Sequence, residues 1–313
     1  MGRSSIDLYA HEIGVPITGV KSFDAYVGGC PTNVSVGTRR LGLRSALLTA
    51  VGTDQVGDFV LAFLRSEGVD VDFVPRIPDR RTSAALLTIQ PPDSFPLTFY
   101  RDNCADLALT IDDVRRAPLD GSRVLFVTGT GLSADPSRTA TLFAAEHAAA
   151  RGTTVVVVDI DYRAGLWPSA EAFGTNVRPL LARAGLGIGT EDEVCAASGE
   201  DNAQAGARRL LEAGLPVLIL KRGGDGAVVC RRGSDPVAVA PFVVDVLNVL
   251  GAGDAFASGF IYGYVNGWTL EDAARFGNAV GAIIVTRHGC ANFMPTLEEV
   301  HAFLQQQDVR TAR

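Results

Sequence analysis

The sequence predicts an α/β fold, with one domain built on a doubly wound, mostly parallel sheet that is flanked by helices and carries a small β-sheet lid. Three observations support this prediction. Short apolar runs alternate along the chain with segments of helical periodicity. The apolar runs lack polar alternation, which is typical of strands buried on both faces of a parallel sheet. Two segments near the start break the alternation and have the pattern of a separate sheet.

Length and composition narrow the class of protein. A chain of 313 residues with 47% hydrophobic residues can bury a large core. No run reaches the ~18 uninterrupted apolar residues of a membrane span, and no signal-like segment opens the chain, so we expect a cytoplasmic protein without a membrane anchor. The net charge of -7 gives no broad electrostatic footprint for nucleic acid, although small anionic ligands can still be held by local basic residues. Five scattered cysteines without a CxxC pair predict neither disulfides nor a zinc site.

The start of the chain contributes the first elements of the main sheet. MGRSSIDLY (1–9) is interpreted as the end of a core strand whose beginning is short or missing. Helical periodicity in VSVGTRRLG (34–42) and DFVLAFLRSEGV (58–69) brackets a predicted strand, SALLTAVG (45–52). These segments predict a strand, helix, strand, helix order.

The lid is predicted from residues 11–29 and 80–104 of the single domain that spans 1–313. The second segment contains SAALLTIQ and FPLTFYR on either side of a PPDS turn, which is a hairpin pattern. Because both segments flank the first helix of the core, we expect them to meet as one sheet. The exposed edge of such a sheet invites pairing between subunits, so a homodimer through the lid is expected.

Beyond residue 120 the alternation becomes regular. The strand-like runs are VLFVTG (124–129), TVVVVDID (154–161), LGIGT (186–190) and PVLILKRG (216–223). Between them lie SRTATLFAAEHAAARG (137–152), AFGTNVRPLLARAG (172–185) and NAQAGARRLLEAG (202–214). Their length and composition suit the crossover helices of βαβ units, so we expect the strands to be parallel neighbours.

The stretch NVLGAGDAF (248–256) joins an apolar, strand-like run, VVDVLNVL (243–250), to a segment of helical periodicity. One interpretation is structural, with Asp254 as an acid in the first turn of a helix. The other is a phosphoryl-transfer centre. There the amides of Ala252, Gly253 and Asp254 would stabilise charge on a transferred phosphate, and the carboxylate would accept a proton from an attacking hydroxyl.

Two further loops have the composition of ligand sites. KRGGDG (221–226) follows an apolar strand and predicts a β-hairpin turn, whose glycines and basic residues also suit the wall of a nucleotide site. GTGLSA (129–134), with Asp159 ending the next strand, suits a dinucleotide-binding motif, although such a motif normally lies in the first βαβ unit. A Walker A sequence is absent, and the four histidines lack metal-ligand spacing.

Two separated motifs resemble those of the ribokinase-like (PfkB-type) carbohydrate kinases. GGCPTNVSVGTRRLG (28–42) is similar to the family's GG-x-x-x-N…A-x-x-L-x-x-LG block, and NVLGAGDAFASGF (248–260) is similar to its DTxGAGDxFxxGF block. The resemblance covers nearly the whole chain. It implies a ribokinase-like fold that transfers the γ-phosphate of ATP to a primary alcohol with help from Mg²⁺. SFPLTFYRDNCAD (94–106), together with IDLY (6–9), resembles a subgroup that acts on a sugar acid.

The resemblance also implies roles for the residues that match the family's motifs. It makes Asp254 the catalytic base and gives the anion hole to Gly251, Ala252 and Gly253. It assigns the sugar hydroxyls to Asp7, Gly28, Gly29 and Asn33, and the phosphate to Arg163, which ends a D-x-N-x-R-like run from Asp159 through Asp161. Arg101 is assigned the substrate's carboxylate, because an arginine fork binds a carboxylate by two parallel hydrogen bonds. The nucleotide is assigned to Lys221, Gly223, Gly226, Thr190 and Asn278, and the water shell of Mg²⁺ to Glu193.

Three departures from the family pattern change these expectations. Thr190 replaces the asparagine of the family's N-x-x-E segment, which weakens the case for a nucleotide contact there. Asn248 replaces an aspartate that helps to hold a monovalent cation, so we expect weak or absent activation by K⁺. The short first strand is the third departure.

Other functions fit the same patterns. They are a kinase of the same fold for 2-keto-3-deoxygluconate, fructose, ribose or a nucleoside, a dinucleotide-dependent oxidoreductase, and a sugar-sensing protein without turnover. The last is disfavoured by the presence of Asp254 and the anion-hole glycines.

Overall fold

The computed structural model of the chain describes residues 1–90 and 94–311. In chain order, the strands of these residues are β1 (Ser5–Ala10), β2 (Phe23–Gly28), β3 (Val51–Gly52), β4 (Arg76–Ile77), β5 (Ser83–Leu87), β6 (Leu97–Tyr100), β7 (Val124–Thr128), β8 (Val155–Asp159), β9 (Leu186–Thr190), β10 (Val217–Lys221), β11 (Ala227–Arg231) and β12 (Val237–Val239). The α-helices are α1 (Cys30–Arg40), α2 (Gln55–Ser66), α3 (Ile111–Arg116), α4 (Ser137–Arg151), α5 (Ala170–Leu181), α6 (Glu191–Ser198), α7 (Ala203–Glu212), α8 (Ala252–Val265), α9 (Leu270–Ile284) and α10 (Leu297–Thr311).

The main sheet has six strands in the order β12-β11-β10-β9-β8-β7. Strands β7 to β10 are parallel neighbours, while β11 and β12 are antiparallel additions at one edge. Side chains alternate between the two faces, so that Val156 and Val158 pack with α4, α5 and α7, and Val157 packs with α1, α8 and α9. Both faces are therefore apolar, which explains the unbroken apolar runs, and the predicted α/β fold class is confirmed.

A second sheet has four strands in the order β2-β1-β5-β6. The predicted lid segments contribute β2 from residues 11–29, and β5 and β6 from residues 80–104. The hairpin pairing of β5 with β6 is antiparallel, and the first three residues of its PPDS turn lie outside the described residues. A small apolar cluster that includes Tyr9, Ala85 and Ile89 supports this sheet.

The assignment of the first strand to the main sheet was wrong. From Ser5 onward, β1 pairs on one side with β2 and on the other with β5. Beside the main sheet lie residues before Ser5: the Met1 amine donates to Phe126 O in β7, and a Cβ on Gly2 would lie 3.0 Å from the Thr128 hydroxyl at the end of β7. The backbone hydrogen bonds of β1 are thus made with two strands of the smaller sheet, which places it there.

Among the described residues, one predicted strand is much shorter than expected and another does not form. Of SALLTAVG (45–52), only Val51 and Gly52 form a strand, which pairs with β4, because no long neighbouring strand runs beside the rest. VVDVLNVL (243–250) has no regular structure, and three of its four valines, Val243, Val246 and Val249, are exposed without a partner strand among the described residues. No helix in the described part of the chain is long and apolar enough to cross a membrane.

Candidate active site

The N-terminus of α8 forms the centre of the candidate site. Its N-cap, Gly251, has a left-handed φ of 84°, and a Cβ there would lie 2.6 Å from the Cys290 sulfur. The Ala252 amide donates to Val249 O, and the Ala255 amide makes the first bond of the helix, to Gly251 O. The amides of Gly253 and Asp254 are therefore the ones left to bind an anion, together with the positive end of the helix. Ala252, predicted as part of the anion hole, instead uses its amide to close the preceding turn.

Asp254 is held by a side chain from the neighbouring helix. Asn33 Nδ2, on α1, donates to Asp254 Oδ2 at 2.6 Å. The two helices approach closely because Gly37 lies against Ser258, where a Cβ would be 2.3 Å from the serine oxygen. The other amide atom, Asn33 Oδ1, is buried and has no hydrogen-bond partner among the described residues. Asn33 thus orients the carboxylate and keeps an acceptor for a further donor.

Lys221 faces the same helix terminus. Its ammonium lies 3.1 Å from Asp159 Oδ2 and 3.8 Å from Glu193 Oε2, and 3.0 Å from where a Cβ on Gly253 would be. Burial raises the pKa of Asp159 to about 7, although Lys221 opposes the shift. Burial lowers the pKa of Lys221, but Asp159 and Glu193 outweigh it and raise that pKa above its ordinary value. The lysine is charged and points at the anion hole, as a phosphate-binding cation would.

Asp161 and Arg163 lie beside this pair. Asp161 has a left-handed φ of 41°, which is strained for a residue with a side chain. Its carboxylate accepts from Thr130 Oγ1 at 3.0 Å and pairs with Arg163 Nη2 at 2.9 Å. Burial raises the pKa of Asp161, and the charge of Asp161 raises the pKa of Arg163. The arginine is therefore anchored at the site, where the sequence predicts a phosphate contact.

Glu193 and Thr190 form a capping box at the start of α6. Glu193 Oε2 accepts from the Thr190 amide at 2.7 Å, and Thr190 Oγ1 accepts from the Glu193 amide. The threonine hydroxyl is engaged in this cap, which fits the expectation that its nucleotide contact is weakened. The described residues contain no cluster of three or more potential metal ligands. Among them, only two buried carboxylates, Glu193 and Asp159, contact Lys221 at the phosphate site, which fits a Mg²⁺ ion that is held mainly by phosphates and water.

The predicted nucleotide loop is a hairpin turn between β10 and β11. Gly223 and Gly226 have left-handed φ values of 54° and 83°, and a Cβ on Gly226 would lie 2.2 Å from Val239 O. Asn278 Nδ2 donates to the carbonyls of Val239 and Ala240. Asn278 therefore fixes the chain segment that packs against the loop.

The GTGLSA loop is packed against the main sheet. Residues Gly129–Leu132 form a buried 3-10 turn, and a Cβ on Gly129 would lie 2.1 Å from Ile160 O. Gly129 is required by this close packing. The buried turn does not present the open helix N-terminus that a dinucleotide pyrophosphate needs.

Asp7, Gly28 and Gly29 meet where β1 and β2 leave the smaller sheet. A Cβ on Gly28 would lie 1.9 Å from Asp7 Oδ2, and one on Gly29, whose φ is 100°, would lie 2.4 Å from Arg3 O. Asp7 Oδ1 accepts from Ser5 Oγ at 2.6 Å. Burial raises the pKa of Asp7, while the charge of Arg3 opposes the rise. The two glycines thus let the backbone lie directly over a buried carboxyl.

Arg101 is placed differently from its prediction. Its Nε and Nη2 both donate to Asp106 Oδ2, at 2.9 and 2.6 Å, and its Nη1 donates to Thr130 O and Ser133 Oγ. The side chains of Arg101 and Asp106 are only 4% and 1% exposed. The fork predicted to bind a substrate carboxylate is therefore occupied by an internal one. The sequence did not predict that Asp106 pairs with Arg101. It also did not single out Arg3, which lies beside Asp7 and Gly29; the one available signal was the position of this arginine just before an apolar strand.

The chain is similar to carbohydrate kinases over most of its length. The model of the "pfkB family carbohydrate kinase" matches residues 1–297. A 5-dehydro-2-deoxygluconokinase from Geobacillus kaustophilus is 33% identical over 98% of this chain and 92% of its own, and one from Shouchella clausii is 35% identical over 99% and 95%. A crystal structure of fructokinase from Vibrio cholerae O395, bound to fructose, ADP and calcium, superposes with a TM-score of 0.86 at 26% identity, covering 97% of each chain.

Proposed function

The chain belongs to the pfkB family of carbohydrate kinases, and from this membership we propose that it uses ATP to phosphorylate a sugar acid at its primary 6-hydroxyl. The substrate that we propose is 5-dehydro-2-deoxy-D-gluconate, an intermediate of myo-inositol breakdown. The names of relatives that align over nearly their whole length support this choice. The observation that carries the kinase chemistry is the placement of Asp254, oriented by Asn33, at a helix N-terminus that faces Lys221.

In the proposed reaction the substrate's hydroxyl oxygen attacks the γ-phosphorus of ATP. Its proton passes to the Asp254 carboxylate as the new O–P bond forms. The bond from the γ-phosphorus to the oxygen that bridges to the β-phosphate breaks, and ADP leaves. The amides of Gly253 and Asp254 and the ammonium of Lys221 stabilise the negative charge on the transferred group.

Other groups support this step. Mg²⁺, when bound with ATP, supplies neutralisation of phosphate charge, and Glu193 would hold its water shell. Arg163, anchored by Asp161, would contact the transferred phosphate. The smaller sheet would close over the sugar and exclude water, with Gly28 and Gly29 as its hinge. Partly exposed Phe23 and Tyr100, on the edge strands β2 and β6, suit a homodimer through this sheet.

The test is ADP release with MgATP and a panel that contains 5-dehydro-2-deoxygluconate, its primary amide, 2-keto-3-deoxygluconate, fructose, ribose and adenosine. We expect turnover of the first compound to exceed that of all others. Asp254→Asn should retain binding of ATP and sugar while kcat falls by roughly 10²–10⁴, the range for loss of a general base.

Asp235→Asn provides the matched control, because Asp235 is exposed in the hairpin between β11 and β12. It should behave like the wild type. Preferred turnover of a neutral sugar would overturn the substrate proposal. Near-normal kcat in Asp254→Asn would overturn the proposed role of that residue.

A further inference from the structure

We propose that Arg3, rather than Arg101, binds the carboxylate of the acid substrate and determines the preference for an acid over a neutral sugar. This inference rests on the proposed function, since it concerns the same site and substrate class. It depends on three observations: the burial of Arg3, its lack of a direct ion pair among the described residues, and its position beside the residues assigned to the sugar.

Arg3 is a buried cation that makes no direct ion pair in the described part of the chain, and it is linked there to the nearby Asp7 carboxyl only through Ser5. The residue is 8% exposed, and its one side-chain hydrogen bond runs from Nη1 to Ser5 Oγ at 2.8 Å. The guanidinium carbon lies 4.9 Å from the centre of the Phe99 ring. Within residues 1–90 and 94–311, no carboxylate lies within ion-pair distance of Arg3. Buried charges in proteins are normally paired, so the structure has a place for an anion here.

The free part of this guanidinium has the geometry for a carboxylate. With Nη1 bonded to Ser5, the edge formed by Nε and Nη2 has no acceptor among the described residues. Two parallel N–H groups on one edge match the two oxygens of a carboxylate. The Phe99 ring below the guanidinium limits its orientation and adds a cation–π contact.

The position of Arg3 assigns the anion to the sugar rather than to ATP. Ser5, which accepts from Arg3, donates in turn to Asp7, a residue assigned to the sugar hydroxyls. The backbone of Arg3 lies against Gly29, and its aromatic contact comes from β6 of the smaller sheet. The predicted nucleotide loop instead follows β10 in the main sheet, and Lys221 already serves the phosphates there.

Arg101 differs from Arg3 in the groups that its guanidinium already contacts. Four N–H to acceptor contacts engage it, two of them with the Asp106 carboxylate. Binding a substrate carboxylate would require this buried pair to separate. Arg101 is therefore a positioning residue that ties β6 to the loop after β7.

The experiment measures kcat and KM of wild type and Arg3→Met with three ligands: 5-dehydro-2-deoxygluconate, its primary amide, and MgATP. We expect Arg3→Met to raise KM for the acid by roughly 10²-fold, as for loss of a charge-assisted, bidentate pair. KM for the amide and for MgATP should change less than about twofold. Arg44→Met, which removes an exposed arginine, is the matched control and should leave all three constants unchanged.

Arg3→Lys keeps the charge but loses the fork, so its KM for the acid should lie between those of wild type and Arg3→Met. It also tests the inference if the methionine variant does not fold. An equal loss with acid and amide, or a selective rise in KM for MgATP, would overturn the assignment of Arg3. If the wild type turns over only neutral sugars, the proposed function fails instead. If both Arg3 variants act on the acid as the wild type does, the role of Arg3 is refuted while the proposed function stands.

Discussion

The two halves of the candidate site differ in how their buried charges are balanced. The phosphate half, made of the N-terminus of α8 with Lys221, Asp159 and Glu193, is built on the main sheet, and its lysine contacts two carboxylates. The sugar half, made of Arg3, Asp7, Gly28 and Arg101, is built on the smaller sheet. There Arg101 is paired directly with Asp106, whereas Arg3 makes no direct ion pair within the described residues. In the phosphate half, the buried lysine is thus paired with carboxylates of the protein before a ligand binds. In the sugar half, we propose that the substrate's carboxylate supplies the missing partner of Arg3.

The largest effect is expected from breaking the charge pair of the sugar half. Asp106→Ala leaves Arg101 buried without a counter-charge, which costs about 3–5 kcal/mol for a pair of this kind. We expect the melting temperature to fall by roughly 10 °C. Asp58→Ala is the matched control, because Asp58 pairs with Arg76 at the surface, and it should lower the melting temperature by less than about 3 °C. Equal shifts in the two variants would show that the buried Arg101–Asp106 pair stabilises the fold no more than the surface Asp58–Arg76 pair does.

This contrast between the halves also shows what the sequence could predict. Gly251, Gly253 and Asp254 lie in one short glycine-rich motif, and Lys221 ends an apolar strand, so local patterns were enough to predict them as site residues, although the strand expected before Gly251 has no regular structure. In the sugar half, local patterns were insufficient. Arg101 was found, but whether its fork is free depends on a side-chain pair with Asp106 that spacing does not reveal.

The largest errors concern contacts between distant residues. Arg3 contacts Phe99 although α1, α2 and most of both lid segments lie between them in the sequence, and no periodicity signals such a contact. The sheet that receives β1 depends on competition between two sets of neighbours, which an apolar run alone does not decide. The number and order of the βαβ units, in contrast, followed from regular alternation, because each unit is local in sequence.

The next largest effect tests the close packing in the sugar half. In Gly28→Ala the new Cβ would lie 1.9 Å from Asp7 Oδ2, so either the carboxyl or the backbone must move. Displacement of about 1 Å at a reacting site can cost 10²-fold, and we expect kcat/KM for the sugar to fall by about that factor. Gly121→Ala, in the exposed turn between α3 and β7, is the matched control because a Cβ there meets nothing within 4 Å. If the two variants are equally active, the approach of Gly28 to Asp7 has no part in sugar binding.

A smaller effect tests the charge balance of the phosphate half. Burial raises the pKa of Asp159 to about 7, so the folded protein holds a proton that the unfolded chain releases near a pKa of about 3.9. The stability contributed by this group therefore falls as pH rises from about 4 to about 7. Lys221→Met removes the charge that opposes the shift, so the pKa should rise further and the fall should continue above pH 7.

Between pH 7 and pH 8, we expect the free energy of unfolding of Lys221→Met to fall by about 1 kcal/mol more than that of the wild type. This corresponds to a further fall of roughly 2–4 °C in melting temperature. Thermal unfolding at the two pH values measures this, and other titrating groups cancel in the difference between the proteins. Lys21→Met removes an exposed lysine and should follow the wild type. The same pH dependence in all three proteins would mean that Lys221 does not control the protonation of Asp159.

The smallest effect concerns a charge that the phosphate half lacks. Asn248 is fully buried, its Nδ2 donates to His288 O at 2.9 Å, and its Oδ1 accepts from the Leu250 amide at 3.0 Å. Because both ends of this neutral amide are engaged, we expect replacement of Na⁺ by K⁺ at equal ionic strength to change kcat by less than about twofold. Asn248→Asp would set a carboxylate oxygen against the His288 carbonyl, and a bound cation would relieve that repulsion, so this variant should gain dependence on K⁺. Activation of the wild type by K⁺ of several-fold would mean that the phosphate half, like the sugar half, requires a charge that its own residues do not supply.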